Sequence, residues 1–393
     1  MIILFTMIAL TAAALFTPTE RIADALLLIE DGFITEATSR TQRPLPSHAR
    51  VVDLGDVALA PGLIDIHIHG GMGHDVMEAG PEALPAVEKL LASHGVSSYY
   101  PTTVTAPVDE ILAALERLAN AIEAPAQVNG SELRARPLGI HLEGPFLSHA
   151  QRGVHPLESL LKPCPKLFDR FWQASRGHIK VMTIAPELEG ARETIDEAVK
   201  RGVRVSLGHS DAPLGAARAA MAAGARHATH TFNAMRALGH RDPGILGLVL
   251  TNSELSADII ADGIHVDPAV VELFMKLKGP DKAVLITDAT SATGMPDGHY
   301  RLGSLEFEVK DGRCVIGGKL AGSVLTMDRA LRNVMKFANL DLGQALRTAT
   351  MNPATVMGIS EQRGTLAAGA EADLTVLNPQ NEVIRTVIHG AGI

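Results

Sequence analysis

Short apolar runs alternate with amphipathic segments through most of the chain. Between Pro61 and about Ile359, runs such as GLIDIHIHG, SSYYPTTV, IKVMTIAP and AVLITDA alternate with Ala/Leu/Glu-rich segments such as PEALPAVEKLLASHG and VDEILAALERLANAIE. The first kind is typical of buried parallel strands and the second of helices. The roughly eight strand–helix steps predict an α/β fold with a (β/α)8 TIM-like barrel. A doubly wound sheet gives the same alternation and remains an alternative.

The two ends of the chain have a different pattern, with short strand-like runs separated by turns. The N-terminal part contains ALLLIEDGFI, with a turn at Asp31-Gly32, and VVDLGDVALAPG; the C-terminal part contains ADLTVLN and VIRTVIHG. We therefore expect residues 1–60 and 360–393 to form one small β-sandwich domain, with residues 61–359 as the barrel. A β-hairpin insertion is predicted near residues 299–316, where HYRLGSLEFEVKDGRCV contains a second Asp-Gly turn.

The first seventeen residues, MIILFTMIALTAAALFT, are almost wholly apolar. A secretion signal or a membrane anchor is one explanation. However, no basic residue precedes the run, and Thr6, Thr11 and Pro18 interrupt it before it reaches the ~20 apolar residues that span a membrane. We favour a buried N-terminal strand that leads into a second strand over residues 25–34, with Met7 as an alternative start.

Composition limits the classes of partner. The 393 residues are 46% hydrophobic and 20% charged, a normal globular balance that accommodates a barrel of ~250 residues and a smaller domain. The formal charge is −9 and no basic run is present, so nucleic acid is an unexpected partner. The only cysteines, Cys164 and Cys314, are far apart, which predicts neither a disulfide framework nor a thiolate metal site and suits a cytoplasmic location.

Several apolar runs end in a histidine or a carboxylate, and barrel enzymes place catalytic groups at these C-terminal strand ends. In GLIDIHIHG, strand alternation puts His67 and His69 on the same side, a spacing that suits a divalent metal such as zinc. The other strand-end candidates are Glu143 in PLGIHLEG, His209 in VRVSLGH, His230 in HATH and Asp288 in AVLITDA. A barrel would bring five N/O ligands to one rim, with the aspartate available for proton transfer.

The chain resembles the amidohydrolase superfamily and, within it, the N-acetylglucosamine-6-phosphate deacetylases. The resemblance spans nearly the whole chain and rests on motifs in the family's order: PGLIDIHIHG, GIHLEGPFL, GHSDA, ATHTFNAM, RDPG, ADGIHVD, ITDATSATG, LAGSVLTM and MNPA. Other branches of the superfamily often use a carbamylated lysine as a bridging ligand. Glu143 stands at the corresponding strand here, which favours the deacetylase branch.

The resemblance implies a metal centre and two catalytic residues. It makes Glu143, His209 and His230 the principal ligands, and it makes His67 and His69 the ligands of a second ion. Some family members lack this histidine pair and use one metal, so one or two ions are expected per subunit. Zinc is the expected metal, with iron, cobalt and manganese as alternatives. The resemblance also implies that Asp288 is the catalytic aspartate and that His155, in RGVHP, polarises the acetamide carbonyl.

The resemblance further implies a phosphorylated amino-sugar substrate and a homodimer. Arg241 and His265 would reach the phosphate from the neighbouring subunit, and a guanidinium suits phosphate because it can donate paired hydrogen bonds. In this subunit, the expected phosphate contacts are Asn233 and Ala234, and the expected sugar-lining residues are Val154, His155, Asp262, Gly263, Ile264, His265, Leu320, Ala321 and Gly322. The expected reaction is hydrolysis of N-acetyl-D-glucosamine 6-phosphate to D-glucosamine 6-phosphate and acetate in amino-sugar catabolism.

Other interpretations stay open at this point. Deacetylation of N-acetylgalactosamine 6-phosphate or hydrolysis of a cyclic amide is the nearest alternative activity, and a catalytically silent barrel scaffold is an alternative from another class. Taken one at a time, these residues have ordinary explanations. His155 and His265 are consistent with loop histidines whose hydrogen bonds are satisfied, Arg241 with a solvated surface charge, and Asp288 with a helix cap. Six strand-end residues of metal-compatible types favour a metal centre over these readings.

Overall fold

The N-terminal strands belong to one mixed sheet, which contains both antiparallel and parallel pairs. The structure, a computed structural model, describes residues 7–124 and 133–393, so the expectations about residues 1–6 lie outside the described residues. Asp31 (φ 50°) and Gly32 (φ 81°) form the predicted turn, which joins the second and third strands. Both residues have the left-handed backbone that a two-residue hairpin turn of this kind requires. The strands are β1 (Met7–Phe16), β2 (Arg21–Glu30), β3 (Phe33–Ser39), β4 (Arg50–Asp53) and β5 (Ala58–Pro61).

The middle of the chain is the barrel. In the described residues its parallel strands alternate with helices, as the sequence predicts. The elements are β6 (Leu63–Ile68), β7 (Gly70–Gly71), β8 (His74–Asp75), α1 (Ala83–Ser93), β9 (Val96–Thr103), α2 (Val108–Glu123), β10 (Arg136–Pro137), β11 (Ile140–Glu143), a 3-10 turn (Leu157–Ser159), α3 (Pro165–Ala174), β12 (Ile179–Ile184), α4 (Ala191–Lys200), β13 (Arg204–Leu207), α5 (Leu214–Ala222), β14 (His227–Ala228), α6 (Gly244–Thr251), β15 (Ala257–Ile260), α7 (Pro268–Lys278) and β16 (Ala283–Ile286).

Backbone hydrogen bonds close these strands into a ring. Strands β6, β9, β11, β12, β13 and β14 pair in parallel in that order, and β15 pairs with β16. The Ala228 amide donates to Ser256 at 3.0 Å, and the His69 amide donates to Ala289 at 2.8 Å, which joins the two groups at both sides. The predicted TIM-like barrel is therefore confirmed over a doubly wound sheet, and its C-terminal strand ends share one rim.

An antiparallel meander follows the last barrel strand. The segment predicted as a hairpin, residues 299–316, forms the first three of its four strands, and the meander continues to Leu320. Its Leu302, Phe307 and Val309 pack with Val104 of the barrel in a small separate core. The elements after β16 are β17 (Gly298–Leu302), β18 (Leu305–Lys310), β19 (Arg313–Ile316), β20 (Lys319–Leu320), α8 (Met327–Ala338), α9 (Leu342–Ala349), α10 (Met351–Met357), β21 (Leu374–Leu377) and β22 (Val383–Val387).

The C-terminal strands complete the sheet formed by the N-terminal ones. Strand β21 pairs antiparallel with β5, in a register that places Val376 opposite Leu59, and β22 pairs with β21. The seven described strands are hydrogen-bonded as one sheet, in the order β22-β21-β5-β1-β2-β3 with β4 also on β1. Leu10, Leu27 and other apolar residues from both chain ends form its own core. These observations support the proposed small domain of residues 1–60 and 360–393.

Polar contacts fasten the terminal sheet to the barrel near the amino end of β9. The buried Arg363 guanidinium pairs with Asp373 and donates to the Ser98 hydroxyl at 2.9 Å. The Thr375 hydroxyl donates to the Gly95 carbonyl at 2.8 Å. The terminal sheet therefore contacts the barrel away from the rim where the strands end. Among the described residues, no helix has the length and apolar character that crossing a membrane requires.

Candidate metal centre and active site

Two histidines at the end of β6 face a buried glutamate at the end of β11. The Nε2 atoms of His67 and His69 lie 3.2 Å apart, because alternation along the strand puts both rings on one side. Oε2 of Glu143 lies 3.4 Å from Nε2 of His67 and 3.3 Å from Nε2 of His69. All three side chains are at most 4% exposed. The structure thus brings this predicted pair into contact with the predicted carboxylate.

A second histidine pair faces the other oxygen of the same carboxylate. Nε2 of His209 and Nε2 of His230 lie 3.0 Å apart. They lie 3.2 Å and 3.1 Å, respectively, from Oε1 of Glu143. Glu143 therefore stands between the two histidine pairs, with one oxygen toward each.

The donor atoms fit a bound cation. The Nδ1 atoms of His69 and His209 donate to the backbone carbonyls of Thr102 and Gln151, each at 3.0 Å, so their Nε2 atoms keep lone pairs that point inward. These lone pairs and the oxygens of Glu143 concentrate electron density at one buried place, which a cation would stabilise. Burial alone would raise the pKa of Glu143, but the surrounding imidazoles, His67 first, hold it well below its usual value. An ionised carboxylate among inward-facing imidazoles is a divalent metal site.

Asp288 lies over the His67 and His69 pair. It follows β16, and its amide donates to the His67 carbonyl at 2.9 Å, which ties the end of the last barrel strand to the first. Oδ1 lies 3.2 Å from Nε2 of His69 and 3.6 Å from Nε2 of His67. Burial opposes ionisation, yet the neighbouring imidazoles, His67 first and then His69, hold the pKa of Asp288 far below its usual range. The side chain is 11% exposed, so one face is open to a ligand.

His155 is a neutral donor aimed at the same point. The Thr105 amide donates to Nδ1 at 3.2 Å, so Nδ1 is the acceptor and Nε2 carries the proton. Burial lowers the pKa of His155 to about 3, in spite of Glu143. Nε2 lies 3.8 Å from Oε2 of Glu143. The arrangement presents an N–H group to any carbonyl oxygen bound beside the glutamate.

Two of the expected substrate segments lie beside this cluster. The Asn233 amide donates to the His230 carbonyl at 2.9 Å, and the Ala234 carbonyl accepts from the Ser210 amide at 3.0 Å, so the FNAM segment lies against the second histidine pair. At the end of the meander, the Ser323 amide donates to the Asp288 carbonyl at 2.7 Å. Residues 320–322 therefore lie beside the aspartate.

Gly322 illustrates how close that approach is. A Cβ atom at this position would lie 2.9 Å from the Asp288 carbonyl oxygen and 2.5 Å from a Thr290 methyl, and the backbone φ is +61°. Only glycine accepts both conditions without a shift of the backbone.

The remaining expected residues take different positions. Val154 packs against the core of the meander. Asp262 closes the turn after β15, accepting hydrogen bonds from the Ile264 and His265 amides and lying 2.7 Å from Nδ1 of His265. Arg241 is exposed and is not part of the cluster in its own subunit.

Sequence reasoning missed several side chains that hold the ligands in place. The buried Asp258 on β15 accepts a hydrogen bond from the His230 amide and lies 3.1 Å from Nε2 of His227. The buried Asp65 accepts from the His67 amide at 3.2 Å and from the hydroxyl of Thr287, the residue after β16. A carboxylate inside an apolar strand run was the available signal for both, because burial of a charge requires partners.

Comparison with known proteins identifies the family of the chain. The sequence profile described as Amidohydrolase family matches residues 58–391. The chain belongs to the amidohydrolase family. The resemblance read from the motifs is thereby confirmed, together with the barrel fold that the family has.

Relatives within the family act on acetylated amino-sugar phosphates, according to their names. The chain is 38% identical to N-acetylglucosamine-6-phosphate deacetylase from Vibrio furnissii, over 87% of this chain and 84% of that protein. It is 37% identical to N-acetylgalactosamine-6-phosphate deacetylase from Escherichia coli O157:H7, over 97% and 98%. A mutant of N-acetyl-D-glucosamine-6-phosphate deacetylase from Mycobacterium smegmatis, solved with N-acetyl-D-glucosamine-6-phosphate, superposes with a TM-score of 0.91 at 34% identity, over 98% and 99% of the chains.

Proposed function

We propose that this enzyme hydrolyses the acetamide of N-acetyl-D-glucosamine 6-phosphate to D-glucosamine 6-phosphate and acetate, as a cytoplasmic step of amino-sugar catabolism. The observation that carries the proposal is the convergence of Glu143, both histidine pairs, Asp288 and His155 at one rim of the barrel. A silent scaffold would have no need for this arrangement. The deacetylases among the relatives support the choice of substrate.

The family and the ligand set support a divalent metal, and we propose zinc, with two ions per subunit. Glu143 would contribute one oxygen to an ion held by His209 and His230, and the other to an ion held by His67 and His69. The two oxygens already face these separate pairs. When bound, a divalent cation supplies Lewis-acid chemistry, which polarises an oxygen atom and makes water acidic enough to yield a nucleophile near pH 7.

The protein's own residues orient the amide and move the proton. His155 donates its Nε2 proton toward the acetamide carbonyl oxygen, and this bond strengthens as the oxygen gains negative charge. Asp288, ionised at neutral pH, accepts a proton from the attacking water as the oxygen–carbon bond forms. It then delivers that proton to the nitrogen as the carbon–nitrogen bond breaks, which releases a neutral amine and acetic acid; the acid then loses its own proton to solvent and becomes acetate.

The proposed phosphate contacts would explain the expected preference for a phosphorylated sugar. Asn233 and Ala234 lie against the second histidine pair and would bind the phosphate from within the subunit. Arg241 is exposed, which suits a contact with the site of a neighbouring subunit. We propose a homodimer in which Arg241 and His265 of each chain complete the partner's phosphate site, with residues 154, 262–264 and 320–322 lining the sugar.

The galacto epimer is a second candidate substrate. The relative from Escherichia coli O157:H7 that carries this activity in its name matches the chain over 97% of its length, more than the Vibrio furnissii relative does. The two sugars differ at one hydroxyl, so the ratio of kcat/KM between them decides which is the substrate.

The experiment is acetate release by purified protein of known metal content. The substrates are N-acetylglucosamine 6-phosphate, its galacto epimer and unphosphorylated N-acetylglucosamine. We expect the first to be hydrolysed with the highest kcat/KM, the activity to disappear on chelation, and added zinc to restore it. Absence of release from all three sugars by fully metallated protein would refute the proposed function, and preference for the epimer would reassign the substrate.

A further inference from the structure

We infer that Glu187 is a positioning residue, which holds the segment carrying the metal ligand His209 in register with the segment expected to bind phosphate. The inference rests on the proposed function and deepens it. Glu187 follows β12, a barrel strand that contributes no member of the cluster described above. Its carboxylate is directed instead at the segment that follows the neighbouring strand, β13.

Both oxygens of Glu187 accept hydrogen bonds from residues just after His209. Oε2 accepts from the Ser210 hydroxyl at 2.8 Å, and Oε1 accepts from the Asp211 amide at 2.7 Å. The Ser210 hydroxyl in turn accepts from the Ala212 amide at 3.0 Å. One carboxylate therefore fixes three consecutive residues behind the metal ligand. Charge-assisted bonds of this length are stronger than those between neutral groups.

The same residue, Ser210, joins the two functional segments. Its amide donates to the Ala234 carbonyl at 3.0 Å, and its carbonyl accepts from the Arg236 amide at 2.9 Å. These two bonds align residues 210 and 235 as an isolated parallel bridge. A shift of Ser210 would therefore move the expected phosphate contact, Ala234, as well as the ligand next to it.

Backbone strain explains why such a restraint is needed. His209, Phe232 and Ala234 have φ angles of 46°, 79° and 50°, in the left-handed region that residues other than glycine rarely adopt. Such a conformation is strained and persists only where its surroundings fix it. The bonds from Glu187 hold one end of this strained pair of segments, and the Ser210–Ala234 contact transmits the restraint to the other.

Glu187 has a matched control two residues away. Glu189 pairs with Lys162, and both side chains are about four-fifths exposed to solvent (81% and 78%). Glu189→Gln removes one negative charge from the same loop without touching residues 209–212. Any effect of charge alone, or of the loop's general electrostatics, should therefore appear equally in both variants.

The test compares Glu187→Ala, Glu187→Gln and Glu189→Gln by zinc titration of the metal-free protein and by steady-state kinetics. We expect Glu187→Ala to weaken zinc binding about tenfold or more, as the loss of a residue that orients a ligand does. It should also raise KM for the phosphorylated sugar several-fold more than for the unphosphorylated one. Glu187→Gln, which retains an acceptor for the Asp211 amide, should recover part of both losses. Glu189→Gln should match the wild type.

A double-mutant cycle identifies the contact through which the effect passes. Ser210→Ala removes the other end of the 2.8 Å bond, so the two losses in zinc affinity should not add in the Glu187→Ala/Ser210→Ala protein. Zinc affinity and KM equal to those of Glu189→Gln would overturn the inference, even if the melting temperature fell. Because zinc titration requires no substrate, it tests the role of Glu187 whether or not wild-type protein releases acetate from any sugar.

Discussion

The carboxylate oxygen Oδ1 of Asp288 lies 3.2 Å from Nε2 of His69, although 218 positions of the chain separate them. The first and last strands of the barrel are neighbours, so the aspartate after one strand lies against the histidine pair at the end of the other. In the proposed mechanism the histidines hold a metal ion and the aspartate moves a proton.

Asp288→Asn should lower kcat by roughly 10²–10⁴-fold while leaving zinc content close to that of the wild type. The amide keeps the shape of the side chain but cannot accept a proton from water at neutral pH. Turnover and metal analysis on the same preparation test this. Near-normal kcat in the variant would remove Asp288 from the mechanism.

His155→Leu should reduce kcat by roughly 10²–10³-fold, because the donor to the developing oxyanion is lost. His155→Gln retains an N–H group of similar reach and should lose less. The ordering of the two variants in single-turnover acetate release checks the assignment. An equal loss in both would point to packing of the imidazole rather than to its proton.

His69→Ala should remove one of two zinc ions, because Glu143, His209 and His230 remain as a complete set for the other. Elemental analysis of dialysed protein gives the stoichiometry, and His209→Ala serves as the variant that damages the opposite pair. If the wild type binds a single ion, or if His69→Ala binds as much zinc as the wild type, the proposed second site is wrong.

Arg241→Ala should raise KM for the phosphorylated sugar much more than for the unphosphorylated one. Mixing it with Asp288→Asn subunits tests whether the guanidinium acts across a dimer. A hybrid dimer would then contain one complete site, with Asp288 from one chain and Arg241 from the other. Random exchange at equal amounts should restore roughly a quarter of wild-type activity. No recovery after verified exchange would place Arg241 in its own subunit's site or outside both.

Glu88→Gln should stabilise the protein at high pH only. Burial raises the pKa of Glu88 to about 7, against the attraction of Arg134 and the hydrogen bond from Tyr99. Since the folded-state pKa lies above the unfolded one, the stability contributed by protonated Glu88 is complete below the unfolded pKa and is lost as the pH rises through 7.

The melting temperature of Glu88→Gln should thus match the wild type at pH 5 and exceed it by about 1–3 °C at pH 8. Glu116→Gln, an exposed change on α2, is the control. An equal difference from wild type at both pH values would show that ionisation of Glu88 does not contribute.

The sequence predicted which side chains meet at the rim, because in a parallel barrel the end of each strand in the sequence lies at the same rim in space. His67, Glu143 and Asp288 each end a strand-like run, and parallel strands end at one rim. The sequence did not predict Thr105 or Glu187, because the roles proposed for them depend on contacts with loops that are distant in the sequence. Strand β20 was not predicted, because a strand of two residues has no periodic pattern. The insertion was therefore predicted as a hairpin, whereas the structure shows a longer meander.

The pairing of Leu59 with Val376 in the terminal sheet has a consequence for synthesis. More than 300 residues separate β5 from β21, so the N-terminal strands leave the ribosome long before their partner exists. Until then, β5 lacks this neighbour and exposes backbone groups that other chains can pair with. Truncation at the C-terminus would make that exposure permanent. The last twenty residues therefore protect the N-terminal strands from pairing with other chains.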